Sequence, residues 1–113
     1  MRKNLTRVER LRSQSDISRV FKSSSRVSCP GAKLIYLKNE FGWNRITVTL
    51  VRKYGNSVQR NRSKRILREI YRSLKNNLKP GFDFIIVLYP GDYDYSIRER
   101  QVKYLFTKAN IFL

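Results

Sequence analysis

The stretch that decides the fold is residues 52–72, which read RKYGNSVQRNRSKRILREIYR. Gly55-Asn56 interrupts the apolar run before it, and Asn56 or Ser57 can cap a helix. With about 100° between successive residues, one side of that helix collects the apolar side chains. These are Ile66, Leu67, Ile70, Tyr71, Leu74 and Leu78. The stretch therefore predicts a strand end, a turn, and an amphipathic helix that closes near Asn77.

The opposite side of the predicted helix is strongly cationic. Its members are Arg60, Asn61, Lys64, Arg65, Arg68 and Arg72, and Glu69 is the only acid in the segment. A face of one charge sign repels itself, so it makes physical sense opposite a polyanion. We infer that the partner is nucleic acid. Arg suits phosphate through its bidentate fork and Lys supplies a point charge, and neither implies that bases are read.

The composition supports a nucleic-acid partner. The 113 residues are enough for one domain with a modest core, and 41% apolar and 12% aromatic residues exclude a wholly disordered basic tail. The 25 Lys and Arg residues exceed the 8 Asp and Glu residues by 17, which predicts strongly salt-dependent binding to a phosphate backbone. An anionic membrane surface is a weaker alternative, because the apolar side of the basic helix lacks Trp and Phe.

The residues that many enzymes need for catalysis are missing. The chain has no His, and Cys29 is its only Cys, which excludes His/Cys zinc sites, Ser-His and Cys-His pairs, and an intrachain disulfide. Asp92 and Asp94 are the only acids close in sequence, and a solvated turn after Pro90-Gly91 explains them. We therefore expect no catalytic residue, no metal site and no cofactor on this chain.

Nothing in the sequence indicates a membrane segment. Residues 1–4 lead into more charge rather than an apolar run, and the longest apolar run, residues 84–89, is far too short to span a bilayer. A lone Cys fits a reducing cytosol, where a small buried hydrophobe is its usual role. We expect a cytoplasmic protein with no membrane partner.

The remaining elements predict an α+β fold. Ser13 can cap a short first helix whose apolar stripe is Ile17, Val20 and Phe21, and Ser96 can cap a last helix. The predicted strands are residues 33–38, 45–51 and 82–89. The order helix–strand–strand–helix–strand–helix describes a small mixed sheet packed with helices, in one nucleic-acid-binding domain of residues 1–113. Residues 1–12 carry five cations and are expected to form a flexible basic arm.

The basic block resembles the signature of the bacterial ribonuclease P protein family. The resemblance rests on KYGNSV at 53–58, RNRSKR at 60–65 and Arg68-Glu69, and the element order, arm and length extend it over nearly the whole chain. It implies a sandwich with a left-handed strand–helix–strand crossover. It also implies an accessory subunit that binds a catalytic RNA and the 5′ leader of precursor tRNA. The RNA removes the leader with Mg²⁺ that it holds itself, and no small molecule is a substrate.

The resemblance assigns two sets of residues. Those that match the family's RNA-contacting surface are Arg52, Lys53, Asn56, Arg60, Asn61, Arg62, Lys64, Arg65 and Arg68. For Asn56, turn geometry is an equally good interpretation. Those that match a leader-binding cleft between the first helix and the sheet are Ile17, Phe21, Leu34 and Tyr36. Core packing is the alternative role for this second set, and it is favoured for Leu34.

Three positions depart from the family pattern. Ile17 stands where most of the family has Phe, so it can pack but cannot stack on a base. Thr47 replaces a frequent Gly, and Tyr54 replaces a smaller aliphatic side chain. The main rival function is a ribosomal or general RNA-binding protein with no role in tRNA processing. A regulator of duplex DNA is less favoured, because no helix-turn-helix pairing is evident.

Overall fold

The computed structural model describes residues 7–113 as a four-stranded sheet covered by helices on both faces. The helices are α1 (Gln14–Phe21), α2 (Ser57–Leu74) and α3 (Tyr95–Lys108). The strands are β1 (Arg26–Cys29), β2 (Ala32–Lys38), β3 (Arg45–Leu50) and β4 (Phe82–Leu88). Short 3₁₀ turns lie at Arg7–Glu9 and at Lys75–Asn77, directly after α2. The predicted α+β class and the predicted helices are confirmed, with one strand more than expected.

The sheet is mixed, as predicted, with strand order β1-β2-β4-β3. The β1–β2 and β2–β4 pairs are antiparallel, whereas β3 and β4 are parallel neighbours. A parallel pair needs a crossover connection, and here α2 provides it. The basic helix is thus held between two strands of the same sheet. The handedness of the crossover stays a prediction from the resemblance.

The strand that the sequence did not predict is β1. It is a short edge strand whose residues alternate between exposed and half-buried, so it carries little apolar signal. Cys29 is half-buried there, and burial raises the pKa of its thiol. Gly31 closes the β1–β2 turn at φ +91°, and a Cβ at that position would come within 2.6 Å of the Tyr93 ring.

The central strand β4 carries a core on each face, because successive side chains of a strand point to opposite sides. Phe84 and Ile86 face α2 and α3, and Ile85 and Val87 face α1. On the α2 side, Leu67 and Ile70 are fully buried, and each contributes about 1.5–3 kcal/mol through the hydrophobic effect. The predicted apolar side of the basic helix therefore anchors it to the sheet.

Side-chain caps fix where the helices begin. Asn56 and Gln59 form a reciprocal capping box at α2, with N···O distances of 2.9 and 3.0 Å. Ser13 caps α1, as predicted. The cap of α3 is Asp94 rather than the predicted Ser96, because its carboxylate accepts a hydrogen bond from the Ile97 amide at 2.9 Å. An acid interpreted as a solvated loop residue thus starts a helix.

The predicted flexible arm is ordered from Arg7 onward. Arg10 forms a parallel bridge with Ile46, and the Leu11 amide donates to the Ile46 carbonyl at 3.0 Å. Leu11 is 2% exposed and joins the core beneath α1. The prediction of a mobile segment is therefore wrong for residues 7–12, and residues 1–6 lie outside the described residues. Within residues 7–113, none of the helices combines the length and hydrophobicity that a membrane span requires.

Candidate nucleic-acid interface

The cations predicted to bind RNA lie on and just before α2 and face solvent. Arg60 and Lys64 are half-buried. The other cations, all exposed, are Arg52, Lys53, Arg62, Arg65 and Arg68. Among residues 7–113, none of these seven cations forms an ion pair with a carboxylate. Their N–H groups and positive charge are therefore available to a phosphate backbone.

Asn56 and Arg60, two of the residues predicted to bind RNA, also have structural roles. Asn56 caps α2, which supports turn geometry as one of its functions. The Arg60 guanidinium donates to the Val51 carbonyl at 3.2 Å and ties the helix to the chain that leaves β3. Asn61, like Asn56, is exposed. All nine residues of the first predicted set thus lie on one continuous segment, and no described contact tests their RNA binding.

A cavity of about 300 Å³ extends this surface across the edge of β3. Arg10 and Arg12 line one side, Lys64 and Arg68 line the other, and no acid lies between them. Tyr71 is also in the lining, and burial, with a smaller contribution from the Glu9 carboxylate, raises the pKa of its hydroxyl. The cavity therefore presents four cations and a neutral hydroxyl, which suits an anion such as a phosphodiester.

Arg10 and Arg12 were not recognised as part of this preformed site. The sequence placed them in a mobile arm, because twelve residues with few apolar anchors gave no reason to dock. A sequence signal for a docked segment was nevertheless present in the alternation of Arg10, Leu11 and Arg12. The apolar Leu11 points into the core, and the cations on either side of it point outward. The partner of this short extended piece is Ile46, which is 36 positions further along the chain than Arg10, and periodicity does not reveal such a contact.

The predicted leader cleft is not assembled as expected. Ile17 packs on the α1 side of the sheet, and Phe21 at the end of α1 is 42% exposed. Leu34 is fully buried in the core on the other side, and Tyr36 packs there too, with its ring 6.2 Å from that of Phe82. Four residues on opposite faces of a sheet cannot line one cleft, so the placement of Leu34 and Tyr36 in it is wrong.

On the α1 side, β2 presents the alternate residues. Ile35 and Leu37 contact the small core beneath α1, and the Lys33 ammonium lies 6.0 Å from the centre of the Tyr89 ring. Lys33 was not considered at the sequence level, because it was interpreted as the first residue of a strand. A cation and an aromatic ring nevertheless lie on the same face of the sheet as Phe21.

The cations near α1 are engaged with acids, in contrast to those of α2. Asp83 is fully buried and accepts two hydrogen bonds from Arg45, at 2.8 and 2.7 Å, and one from Asn39 at 2.9 Å. The hydrogen bonding of its guanidinium to the Asp83 carboxylate is the main cause that raises the pKa of Arg45. Asp16 contacts Arg45 at 3.3 Å and Arg19 at 3.2 Å. These arginines hold α1 to the sheet.

The described residues contain no group of three or more His, Cys, Asp or Glu side chains that could hold a metal ion. The site is therefore described by its cations, amides and aromatic rings. Its geometry suits binding of an extended anionic polymer along α2 and into the cavity beside it.

The chain is similar to known proteins in sequence and in fold. The family model described as Ribonuclease P matches residues 5–110. The ribonuclease P protein component of Petrotoga mobilis is 40% identical over 79 residues, which are 70% of this chain and 67% of the relative. That of Alkaliphilus oremlandii is 32% identical over 106 residues, 92% of this chain and 93% of the relative.

Solved structures show the same fold. An RNase P protein from Staphylococcus aureus has a TM-score of 0.85 at 22% identity, covering 93% of this chain and 98% of that one. The RNase P protein from Thermotoga maritima has a TM-score of 0.74 at 26% identity, covering 85% and 93%. The sequence matches and the shared fold lead to one conclusion. The chain belongs to the ribonuclease P protein component family, the protein subunits that work with an RNA subunit in the endoribonuclease of tRNA 5′ processing.

Proposed function

We propose that the α2 surface binds the phosphate backbone of the catalytic RNA of ribonuclease P, and that the protein also holds the 5′ leader of precursor tRNA. The observation that carries the first part is the set of seven cations on and before α2 that no acid neutralises among residues 7–113. Self-repulsion on such a face disfavours the free protein and is relieved when phosphates replace water around it.

The cavity beside α2 supports an extended path for the RNA. Its four cations come from two separate parts of the chain, the Arg10–Arg12 segment and α2, so one phosphodiester group can contact both. A strand that followed the exposed side of α2 would reach this cavity at Lys64 and Arg68. Contacts to phosphate and ribose do not depend on base identity, which suits an RNA bound for its shape.

Leader binding is assigned to the α1 side of the sheet. Phe21 offers an exposed ring on which an unpaired base can stack, and Lys33 beside Tyr89 supplies a cation for the adjoining phosphate. Ile17, one helical turn before Phe21, packs against the small core beneath α1 and contributes apolar contact only. Stacking is tolerant of base identity, so this surface can serve many precursors.

The holoenzyme uses Mg²⁺ through its RNA in this proposal, and the protein reduces how much is needed. Cationic side chains neutralise phosphate repulsion that would otherwise require more metal ions. The chain has no His, so no imidazole is available for proton transfer. A cytoplasmic location completes the proposal, since a single Cys suits a reducing compartment.

The decisive experiment is cleavage of a precursor tRNA by a bacterial ribonuclease P RNA at low Mg²⁺, with and without the protein. We expect the RNA alone to be nearly inactive, the protein alone to be inactive, and the mixture to release the 5′ leader. Cleavage by protein purified free of RNA would overturn the assignment of catalysis to the RNA. Tight binding of RNA without any stimulation of cleavage would instead favour a general RNA-binding protein.

A further inference from the structure

Arg98 in α3 is a buried cation that the RNA-binding surface does not explain. It is 2% exposed, and no carboxylate among the described residues forms an ion pair with it. Burying a charge without an opposite charge costs free energy, which hydrogen bonds must offset. The partners of Arg98 therefore indicate what the side chain does.

The terminal N–H groups of Arg98 reach four acceptors, of which one lies in α3 itself and three lie in other segments. Nη1 donates to the Gly31 carbonyl at 2.8 Å and to the Gln101 side chain at 2.9 Å. Nη2 donates to the Tyr89 carbonyl at 3.0 Å and to the Tyr54 hydroxyl at 2.7 Å. These bonds account for all four terminal hydrogens of the guanidinium. They join the β1–β2 turn, the end of β4 and the turn before α2 to α3.

The hydrogen bond from Arg98 to Tyr54 connects Arg98 to the basic helix α2. The Tyr54 hydroxyl lies 2.7 Å from the Ser63 hydroxyl, and Ser63 stands between Arg62 and Lys64 in α2. Tyr54 itself lies in the turn that precedes the Asn56 cap. Its side chain thus connects the buried guanidinium to the face of α2 behind the predicted RNA contacts.

The surroundings keep this connection rigid. The Tyr93 ring packs against the guanidinium at 4.5 Å, and Gln101 donates to the Pro30 carbonyl at 2.9 Å. Within residues 7–113, no buried side-chain nitrogen or oxygen lacks a hydrogen-bond partner. Lys at position 98 has three donors on one atom and cannot reproduce a planar fork that serves four acceptors.

We propose that Arg98, acting through Tyr54 and Ser63, is a positioning residue for the RNA-binding helix. This chain of hydrogen bonds fixes the position of the first two turns of α2 relative to the sheet. Arg62 and Lys64 are then already placed to contact phosphates before the RNA binds. Binding then costs less ordering of the protein. The proposal rests on the proposed RNA-binding function of α2.

Two single-atom changes test the connection without removing a cation. Tyr54→Phe and Ser63→Ala each break the hydroxyl contact, and Tyr104→Phe is the matched control because its hydroxyl is on an exposed side chain of α3. Each variant is first shown to be folded by circular dichroism and urea titration. The dissociation constant for ribonuclease P RNA is then measured at several salt concentrations.

We expect Ser63→Ala to weaken binding about fivefold, the equivalent of one hydrogen bond, and Tyr54→Phe to weaken it about tenfold, because this change also removes the hydrogen bond from Arg98. The double variant should bind no more weakly than Tyr54→Phe alone, since Tyr54→Phe already removes the contact that Ser63→Ala breaks. The salt dependence should be unchanged, because no phosphate contact is removed. Tyr104→Phe should match the wild type. Arg98→Lys should weaken RNA binding more than Tyr54→Phe or Ser63→Ala does, again with no change in salt dependence.

Three outcomes would overturn the proposal. If folded Tyr54→Phe and Ser63→Ala bind as tightly as the wild type, Arg98 only stabilises the fold. If their losses add in the double variant, the two hydroxyls do not act through one contact. If the wild type itself does not bind the RNA, the proposed function of α2 fails first and the positioning role fails with it.

Discussion

Arginine side chains have different roles in two regions of this molecule. On the α1 side, Arg45 is bonded to the buried Asp83 and also contacts Asp16, so its charge is used within the protein. On α2, Arg62 and Arg65 have no carboxylate partner among residues 7–113. The same side chain is structural in one place and available to a ligand in the other. The positions of the acidic residues account for this difference between the arginines.

The chain has only 8 acids for 25 cations, so their positions decide which cations remain available. Glu9 pairs with Lys75 at 3.2 Å, Asp16 and Asp83 hold the α1 side, and Asp94 caps α3. Glu69 is the only acid within α2. A count of net charge predicts that the protein binds a polyanion. Only the placement of the acids shows which cations have no carboxylate partner among residues 7–113, and the proposed RNA-binding face rests on those cations.

The largest expected effect comes from breaking the ion pair on the α1 side. Asp83→Ala should lower the free energy of unfolding by about 3–4 kcal/mol, because it leaves a mostly buried Arg45 without its main partner. This expected loss is below the upper end of the range for breaking a buried ion pair, because Asp16 remains as a second partner 3.3 Å from Arg45. Urea denaturation measures this.

Asp92→Ala is the control for that change, because it removes the same charge from an exposed loop and should alter stability by less than about 0.5 kcal/mol. If Asp83→Ala were as stable as the control, Arg45 would not be structural, and the contrast between the two regions would be lost.

The next effect concerns the α2 side and should appear in binding rather than in stability. Arg62→Ala combined with Arg65→Ala should weaken binding of ribonuclease P RNA by about 2–3 kcal/mol, as charge-assisted contacts to phosphate are lost. The slope of log K against log salt should flatten by about one unit for each contact removed. The free energy of unfolding should be unchanged or slightly higher, because self-repulsion falls.

A matched control removes two cations from α3 instead, with Arg100→Ala and Lys108→Ala, and should leave the salt slope nearly as in the wild type. Equal losses of affinity in both double variants would mean that net charge matters and that the α2 surface does not. A large drop in stability for the α2 variant would make Arg62 and Arg65 structural, like Arg45.

The smallest effect is expected from Phe21, the exposed ring on the α1 side. Phe21→Ala should weaken binding of precursor tRNA to the holoenzyme by about 1 kcal/mol, at the lower end for one stacked base because over half of the side chain is already covered. Mature tRNA, which lacks the leader, should bind as before, and the salt slope should not change.

Tyr104→Ala removes a ring of similar exposure from α3 and should not affect precursor binding. An equal loss for precursor and mature tRNA in the Phe21 variant would place the leader elsewhere. The result would then leave the α1 side with a purely structural role.

The basic helix could be predicted because its signals are local. Asn56 as the cap, the apolar stripe from Ile66 to Leu74 and the one-sided cations all lie within 20 residues, and the 3.6-residue period assigns each to a side. The other two helices were predicted for the same reason, whereas the mixed sheet was predicted from the order of helices and strands. Family resemblance added the RNA partner, which charge alone left open among several nucleic acids.

The face of β2 could not be predicted from the sequence. Leu34, Ile35, Tyr36 and Leu37 are all apolar, because the strand has a core on both sides, and a run without alternation does not say which residue points to α1. A choice of the wrong face moves every side chain to the other side of the sheet. That is why Leu34 and Tyr36 were placed in the leader cleft although Lys33 lies on that face.

Contacts between distant segments were missed for a related reason. Arg98 is one of several cations in α3, and its burial depends on acceptors at Gly31, Tyr54 and Tyr89, up to 67 positions away. The segment of Arg10 and Arg12 docks on a strand far along the chain. Local periodicity carries no information about either contact.

The docking of that segment on β3 also bears on how the protein avoids aggregation. A strand at the edge of a sheet offers unpaired N–H and C=O groups, on which another chain can add a strand. Here the Leu11 amide occupies the Ile46 carbonyl, and Arg10 and Arg12 flank it with positive charge. A second copy that approached this edge would meet a blocked carbonyl and like charges, whereas a phosphate chain meets only attraction. The same few residues therefore oppose self-association and, in the proposed function, contact RNA.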